Sequence, residues 1–257
     1  MDWHIALAGL VVGTLVGFSG VGSSSIMMPI LVLLLRVHPL IAVGTDLAYS
    51  LPTKIVGAWV HRGQGTINAK LVILLAIGGI PGAIVGILSL GYVKHHVSLD
   101  QLNIWLKHFL AILMFSIAAI MIVSQFVRRR RAEGKAWVPL RPRAHIIMGL
   151  GLVVGFLVSV TSIGAGSITL TALLFILPSA RLQSLVGSDV AFAALIIPIA
   201  ALGHFTLGSI DFHLTWNLLL GSVPGVIIGS KLCTRLPDKV VRPAIAGMMV
   251  LAGAKMF

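Results

Sequence analysis

Two aspartates, one lysine and two clusters of glycine and serine are the residues whose type and placement could do chemistry here. The clusters are Gly20-Val21-Gly22-Ser23-Ser24-Ser25 and Ser162-Ile163-Gly164-Ala165-Gly166-Ser167, and each interrupts an apolar stretch. A helix that starts at mid-membrane leaves its first N–H groups without partners and presents the positive end of its dipole. Glycine permits the turn and the close approach, and serine hydroxyls add donors. Two such starts facing one another suit an oxyanion. Substrate contacts are therefore expected from Gly20, Gly22, Ser23, Ser24 and Ser25, and from Ser162, Gly164, Gly166 and Ser167. The competing role for small residues is close helix packing, which is common in membranes.

Asp46 and Asp189 follow Thr45 and Ser188 in matching contexts, Gly44-Thr45-Asp46 and Gly187-Ser188-Asp189. Ionisable groups at membrane depth are costly and serve as proton relays or ion ligands, so both carboxylates are candidates for proton coupling. Thr45-Asp46 and Ser188-Asp189 also have the form of a helix N-cap, and capping is the competing role. The hydroxyls of Thr45 and Ser188 join the candidate substrate site. Lys54 stands eight residues beyond Asp46. It could hold a substrate's negative charge, pair with a carboxylate or snorkel towards water. His61 and His204 fall at segment ends in matching positions, which points to a shared structural role. The single Cys233 excludes a disulfide framework and a cysteine-built metal site, and reads as a small buried hydrophobe. No nucleophile elbow, phosphate loop or metal-ligand spacing stands out, so no catalytic residue, metal or cofactor is expected.

The elements that must position these groups follow from charge and hydropathy. The chain has 257 residues, is 58% hydrophobic and 10% charged, and carries a net +12. Its mean hydropathy of +1.05 excludes an ordinary water-soluble domain. Residues 71–93, 108–127, 144–180, 190–210 and 212–230 contain no Asp, Glu, Lys or Arg. Runs of this length span a bilayer as helices, and they lack the period-two alternation of a barrel strand. No cleavable signal peptide is expected, because Met1-Asp2-Trp3-His4 lacks a basic lead-in to the first apolar run.

The sequence repeats itself. At a shift of 143, Gly44-Thr45-Asp46 falls on Gly187-Ser188-Asp189, and Gly65-Thr66-Ile67-Asn68 on Gly208-Ser209-Ile210-Asp211. His61 falls on His204, and Pro81-Gly82 on Pro224-Gly225; Lys54 falls on Ile197 and has no counterpart. The two Gly/Ser clusters align at a shift of 142. Two clusters in one register, each at a helix break, favour a binding site over packing. The chain therefore reads as a first repeat, 1–127, a basic cytoplasmic linker, 128–143, and a second repeat, 144–257. Each repeat opens with two short apolar pieces, 5–16 and 26–35, then 146–158 and 168–177. Full-length segments follow near 42–60, 69–92 and 102–127, and near 182–203, 212–232 and 239–256.

If each opening pair is a hairpin of two half-membrane helices, each repeat crosses an odd number of times and the repeats are inverted. That arrangement places 14 of the 19 Lys and Arg on the inner side. The parallel alternative puts the loop with Lys231, Arg235, Lys239 and Arg242 outside. The net charge is thus a topology signal, and nucleic acid is not an expected partner. Trp3, Trp105 and Trp216 fall near outer ends and Trp59 near an inner one, as an interfacial belt requires. The basic linker reads as an orientation signal, with anionic lipid as a further use. Pro81 and Pro224 read as kinks or hinges. The fold class is an all-α polytopic transmembrane bundle of two inverted repeats. Inverted repeats with broken helices are the mark of a secondary transporter with alternating access, here by rocking one half against the other. An anion channel and, behind it, a membrane-embedded enzyme are the rival readings. The bilayer and a small anion are the expected partners; a homo-oligomer is compatible with the sequence.

The paired break, Pro29 and the Ala42-Val43-Gly44-Thr45-Asp46 segment resemble the TauE/SafE family of sulfite exporters and sulfonate permeases. The resemblance covers roughly 9–90 and 149–256, and is most specific from Gly17-Phe18 through Gly20-Val21-Gly22 to Pro29. Ser23-Ser24-Ser25 replaces the family's glycine run, and the second half has no proline matching Pro29. The resemblance implies secondary transport of sulfite, a sulfonate or sulfoacetate in a prokaryotic cytoplasmic membrane.

Overall fold

The structure, a computed structural model, describes residues 3–19, 24–132, 144–177, 180–232 and 238–256. The first half folds into α1 (Trp3–Ser19), α2 (Ser24–Pro29), α3 (Pro39–Gly63), α4 (Ala69–His96) and α5 (Leu99–Ala132). The second folds into α6 (Ala144–Thr161), α7 (Ile168–Ile176), α8 (Leu182–Thr206), α9 (Phe212–Leu232) and α10 (Asp238–Met256). Five π-helical residues, Ile30–Leu34, continue α2 beyond Pro29. No strand occurs among the described residues. Four helices there, α4, α5 through Ile120, α6 and α8, are long and apolar enough to cross a membrane.

Local chemistry sets the ends. Pro39 opens α3, where a missing N–H costs nothing. Asn68 caps α4 by accepting the Leu71 N–H at 3.2 Å, and Asp211 accepts the Leu214 N–H before α9 at 2.9 Å. Lys94, His95 and His96 occupy the last turn of α4, where the helix dipole favours cations. That is why α4 runs past residue 92, where the apolar pattern stops. Likewise α5 carries residues 128–131 as helix, so the basic linker begins inside an element; residues 133–143 lie outside the described residues.

The opening arms are longer than the half-membrane pieces expected. At 1.5 Å per residue, the 17 residues of α1 and 18 of α6 reach about 26–27 Å. Only the second arms are short, at 9 residues in α7. The polar residues that end the apolar pattern do not end the helix. Thr161 turns its hydroxyl back on the Leu157 carbonyl at 2.6 Å, which keeps it inside the helical ladder.

Packing crosses between the halves. α1 lies along α9 and α4 along α6, while α3 meets α8 and α5 meets α10. Glycine stripes create the first two contacts. A Cβ at Gly78 or Gly82 would overlap the carbonyl of Met148 or Leu152, and one at Gly151 or Gly155 that of Leu75 or Gly79. The other pair is built alike, with Gly9 and Gly13 against Leu218 and Ser222, and Gly221 and Gly225 against Ala6 and Leu10. Without hydrophobic drive between helices in lipid, such backbone approach supplies the dispersion contacts that hold them. Outside this core, Trp3, Trp59, Trp105 and Trp216 are all exposed.

Gly155→Ala should therefore lower stability by about 2 kcal/mol or more through overpacking against backbone. Gly149 meets nothing within 4 Å, so Gly149→Ala should be neutral or slightly stabilising. Unfolding in detergent reads both, and equal effects would contradict the stripe.

Candidate functional site

The serine that opens α2 meets the serine that follows α6. The Ser24 hydroxyl lies 3.4 Å from that of Ser162 and 3.5 Å from that of Ser50 in α3. Ser162 holds the left-handed conformation, φ +61°, that turns the chain out of α6, and its hydroxyl donates to Asp46 Oδ2 at 2.6 Å. Ser24, Ser25, Asp46, Ser50 and Ser162 are all buried, and Asp46 Oδ1 has no hydrogen-bond partner. One serine from each break thus converges on one α3 carboxylate. Gly20, Gly22 and Ser23 lie outside the described residues.

The second break leads into α7 through Gly164, φ +144°, and Gly166, φ +98°. The Gly164 carbonyl accepts the N–H of Ile168 at 3.1 Å and of Thr169 at 3.3 Å. The Gly166 N–H donates to Asp189 Oδ1 at 3.3 Å, so a carboxylate of α8 sits at the N-terminal end of α7, as its dipole favours. Ser167, at the N-cap position, is buried and its Oγ has no hydrogen-bond partner. Lys54 is half-buried and follows Asp46 by eight residues in α3.

Neither aspartate caps its own helix. α3 begins at Pro39 and α8 at Leu182, which places both carboxylates about two turns inside. The N-cap positions belong to His38 and Arg181. The N-cap look of Thr45-Asp46 and Ser188-Asp189 is corrected by the helix starts at Pro39 and Leu182. The two hydroxyls make contacts between the halves. Thr45 Oγ1 accepts the Asp211 N–H at 3.1 Å, and Ser188 Oγ accepts the Asn68 N–H at 2.9 Å. Each half therefore grips the loop of the other.

Those loops are alike. His61 Nδ1 lies 2.9 Å from Thr66 Oγ1, and His204 Nδ1 lies 2.8 Å from Ser209 Oγ. Each hydroxyl also donates to the carbonyl of its histidine, at 3.0 Å in both. Gly65 and Gly208 take left-handed φ values of +64° and +63° to close the turn. The histidines thus have a shared structural role. Ser50 is the site residue that register comparison missed, because its repeat position holds Ala193. Its signal is the spacing of four from Asp46, which puts both on one helix face.

The family model described as Sulfite exporter TauE/SafE matches residues 5–256. The chain is 38% identical to "Probable membrane transporter protein YjnA" of Bacillus subtilis (strain 168), over all of both chains. It is 28% identical to "Probable membrane transporter protein YdhB" of the same organism, over 96% of this chain and 99% of that one. Identity to "Probable membrane transporter protein YunE", also of that organism, is 24%, over 95% and 92%. No solved structure matches.

Thr45→Ala and Ser188→Ala should each lose about 1–2 kcal/mol of stability by orphaning the facing N–H. Lower melting temperatures in detergent would show this, and unchanged melting would remove the two hydroxyls from the contact between halves.

Proposed function

The chain belongs to the sulfite exporter TauE/SafE family and is a multi-pass membrane transporter, and from that premise we propose that it is a secondary transporter of a small sulfur-containing oxyanion of the sulfite, sulfonate or sulfoacetate class. The observation that carries this reading is the contact between Ser24 and Ser162, which joins the breaks of the two halves beside Asp46. The oxyanion sits between the breaks, against Ser24, Ser25, Ser162, Gly164, Gly166 and Ser167, with Lys54 offsetting its charge. Thr45 and Ser188 shape the site from behind.

The two halves form inverted repeats in the cytoplasmic membrane, with the 128–143 linker on the cytoplasmic side. The reciprocal pairing of α1 with α9 and α4 with α6 supports the two-fold relation, because each pair matches the other at the repeat shift. Symmetric binding across the paired Thr45–Asp211 and Ser188–Asn68 contacts supports it too.

Charge balance favours coupling over simple permeation. Two carboxylates and one ammonium leave a net negative site, which repels an anion in a poorly screened interior. A proton or cation entering at Asp46 or Asp189 removes that repulsion. At Asp189 the effect is also local. Its carboxylate holds the Gly166 N–H, and neutralising it frees that donor for the substrate. Anion binding and cation uptake thereby favour each other, and alternating access carries both across.

Ser24→Leu should reduce sulfite binding by about ten-fold or more, through a bulky group between the breaks, while the protein still inserts. A screen of purified protein against sulfite, thiosulfate, sulfoacetate, taurine and phosphate reads affinity and class together. Retained affinity in Ser24→Leu would return the cluster to a packing role. Asp189→Asn should bind sulfite yet lose its response to an imposed pH or ion gradient in proteoliposomes; full gradient response would sink coupling at this residue. Planar-bilayer conductance without coupling would establish a channel instead.

A further inference from the structure

We propose that Asp46, together with the hydroxyls of Ser24, Ser50 and Ser162, is a binding site for sodium, and that sodium is the coupling ion. The proposal deepens the transport reading above and rests on it for the coupling, though not for the cation site.

Four oxygen-bearing side chains converge in a buried volume where one carboxylate oxygen, Asp46 Oδ1, has no hydrogen-bond partner. The donor set is one carboxylate and three neutral hydroxyls. Oxygen ligands of this kind suit hard cations, with no soft or imidazole donor to select a transition metal. The charge count then selects valence. The set holds one carboxylate, so one monovalent cation brings it to neutrality. A divalent ion would leave a surplus charge at membrane depth, where it is costly.

The spacing agrees. An O–H···O hydrogen bond is shortest and strongest near 2.7–2.8 Å. Ser162 to Asp46, at 2.6 Å, is such a bond. Ser24 stands instead 3.4 Å from Ser162 and 3.5 Å from Ser50. Neighbouring oxygens of an octahedral shell with ligands at about 2.4 Å are about 3.4 Å apart. The Ser24 contacts are thus long for hydrogen bonds and match the spacing of ligands around a common ion. A cation beside the unpartnered Oδ1 would complete the set. Ser162 immediately follows the C-terminus of α6, whose negative dipole end further favours a positive ion.

The site also explains an asymmetry between the halves. At the repeat positions of Ser24 and Ser50 the second half has Gly166 and Ala193, and Asp189 there accepts a backbone N–H. One break is furnished for a cation and the other for an anion's donor. Placing the two charges across the pseudo-two-fold axis makes each stabilise the other.

The test uses the full-length protein purified without sulfite. Binding of radioactive sodium, and the melting temperature in NaCl against choline chloride and KCl at equal ionic strength, are measured for the parent and for Asp46→Asn, Ser162→Ala and Ser50→Ala. Sodium should bind saturably and raise the melting temperature where choline and potassium do not. Each variant that remains monodisperse should need about ten-fold more sodium or greater for half-saturation. Absent sodium binding in the parent, or unchanged affinity in all three variants, would overturn the site. Sulfite uptake into proteoliposomes under opposed sodium and pH gradients separates the two readings. Sodium binding with no sulfite uptake would refute the substrate and keep the cation site. Uptake driven by pH alone would refute sodium coupling and keep the transporter of sulfite.

Discussion

A backbone that breaks inside hydrocarbon must find its hydrogen bonds within the protein, and the arrangement of this bundle follows from that need. The second break turns the chain with a left-handed serine and two glycines, and groups at the breaks are met from across the molecule. Gly166 gives its N–H to Asp189, Ser162 its hydroxyl to Asp46, and Ser24 faces Ser162. The first two of these contacts form only once α8 and α3 are packed beside the breaks. The polar centre is therefore assembled by tertiary packing, and its shape depends on how closely the surrounding helices can approach.

That approach is set by glycine. The stripes on α1, α4, α6 and α9 bring backbones together where any side chain would collide, and they do so at equivalent positions in both halves. Around them, Gly44 and Gly187 let α3 and α8 lie against the loops that carry Ser209 and Thr66.

Much of this was legible in the sequence, and the part that was not has a physical cause. Charge-free runs located the long helices, since burial in lipid leaves a composition that no other environment tolerates. Register located the breaks, the aspartates and the loop of Gly65 and Gly208. Helix ends were less visible, as α4 shows, because Lys94, His95 and His96 look like loop residues but suit a helix C-terminus. Asp46 and Asp189 looked like caps because a hydroxyl residue precedes each, although the segments expected from 42 and 182 already began before them. Partnership across the halves could not be read at all. Thr45 bonds to a residue 166 positions away, and no one-dimensional pattern encodes which hydroxyl faces which loop. Ser50 escaped because comparison of repeats finds what is shared, while this residue matters through what its counterpart lacks.

The interlaced packing also changes what a half of this protein is. α1 belongs by sequence to the first repeat but by contact to α9, and α6 belongs to the second but lies on α4. A cut at the 128–143 linker would therefore yield two fragments, each with a bare glycine groove shaped for a helix held by the other. The packed units are composite, α1 with α9 and α4 with α6, each made from one helix of either half. α3 and α8, which carry the two aspartates, pair across the halves in the same way.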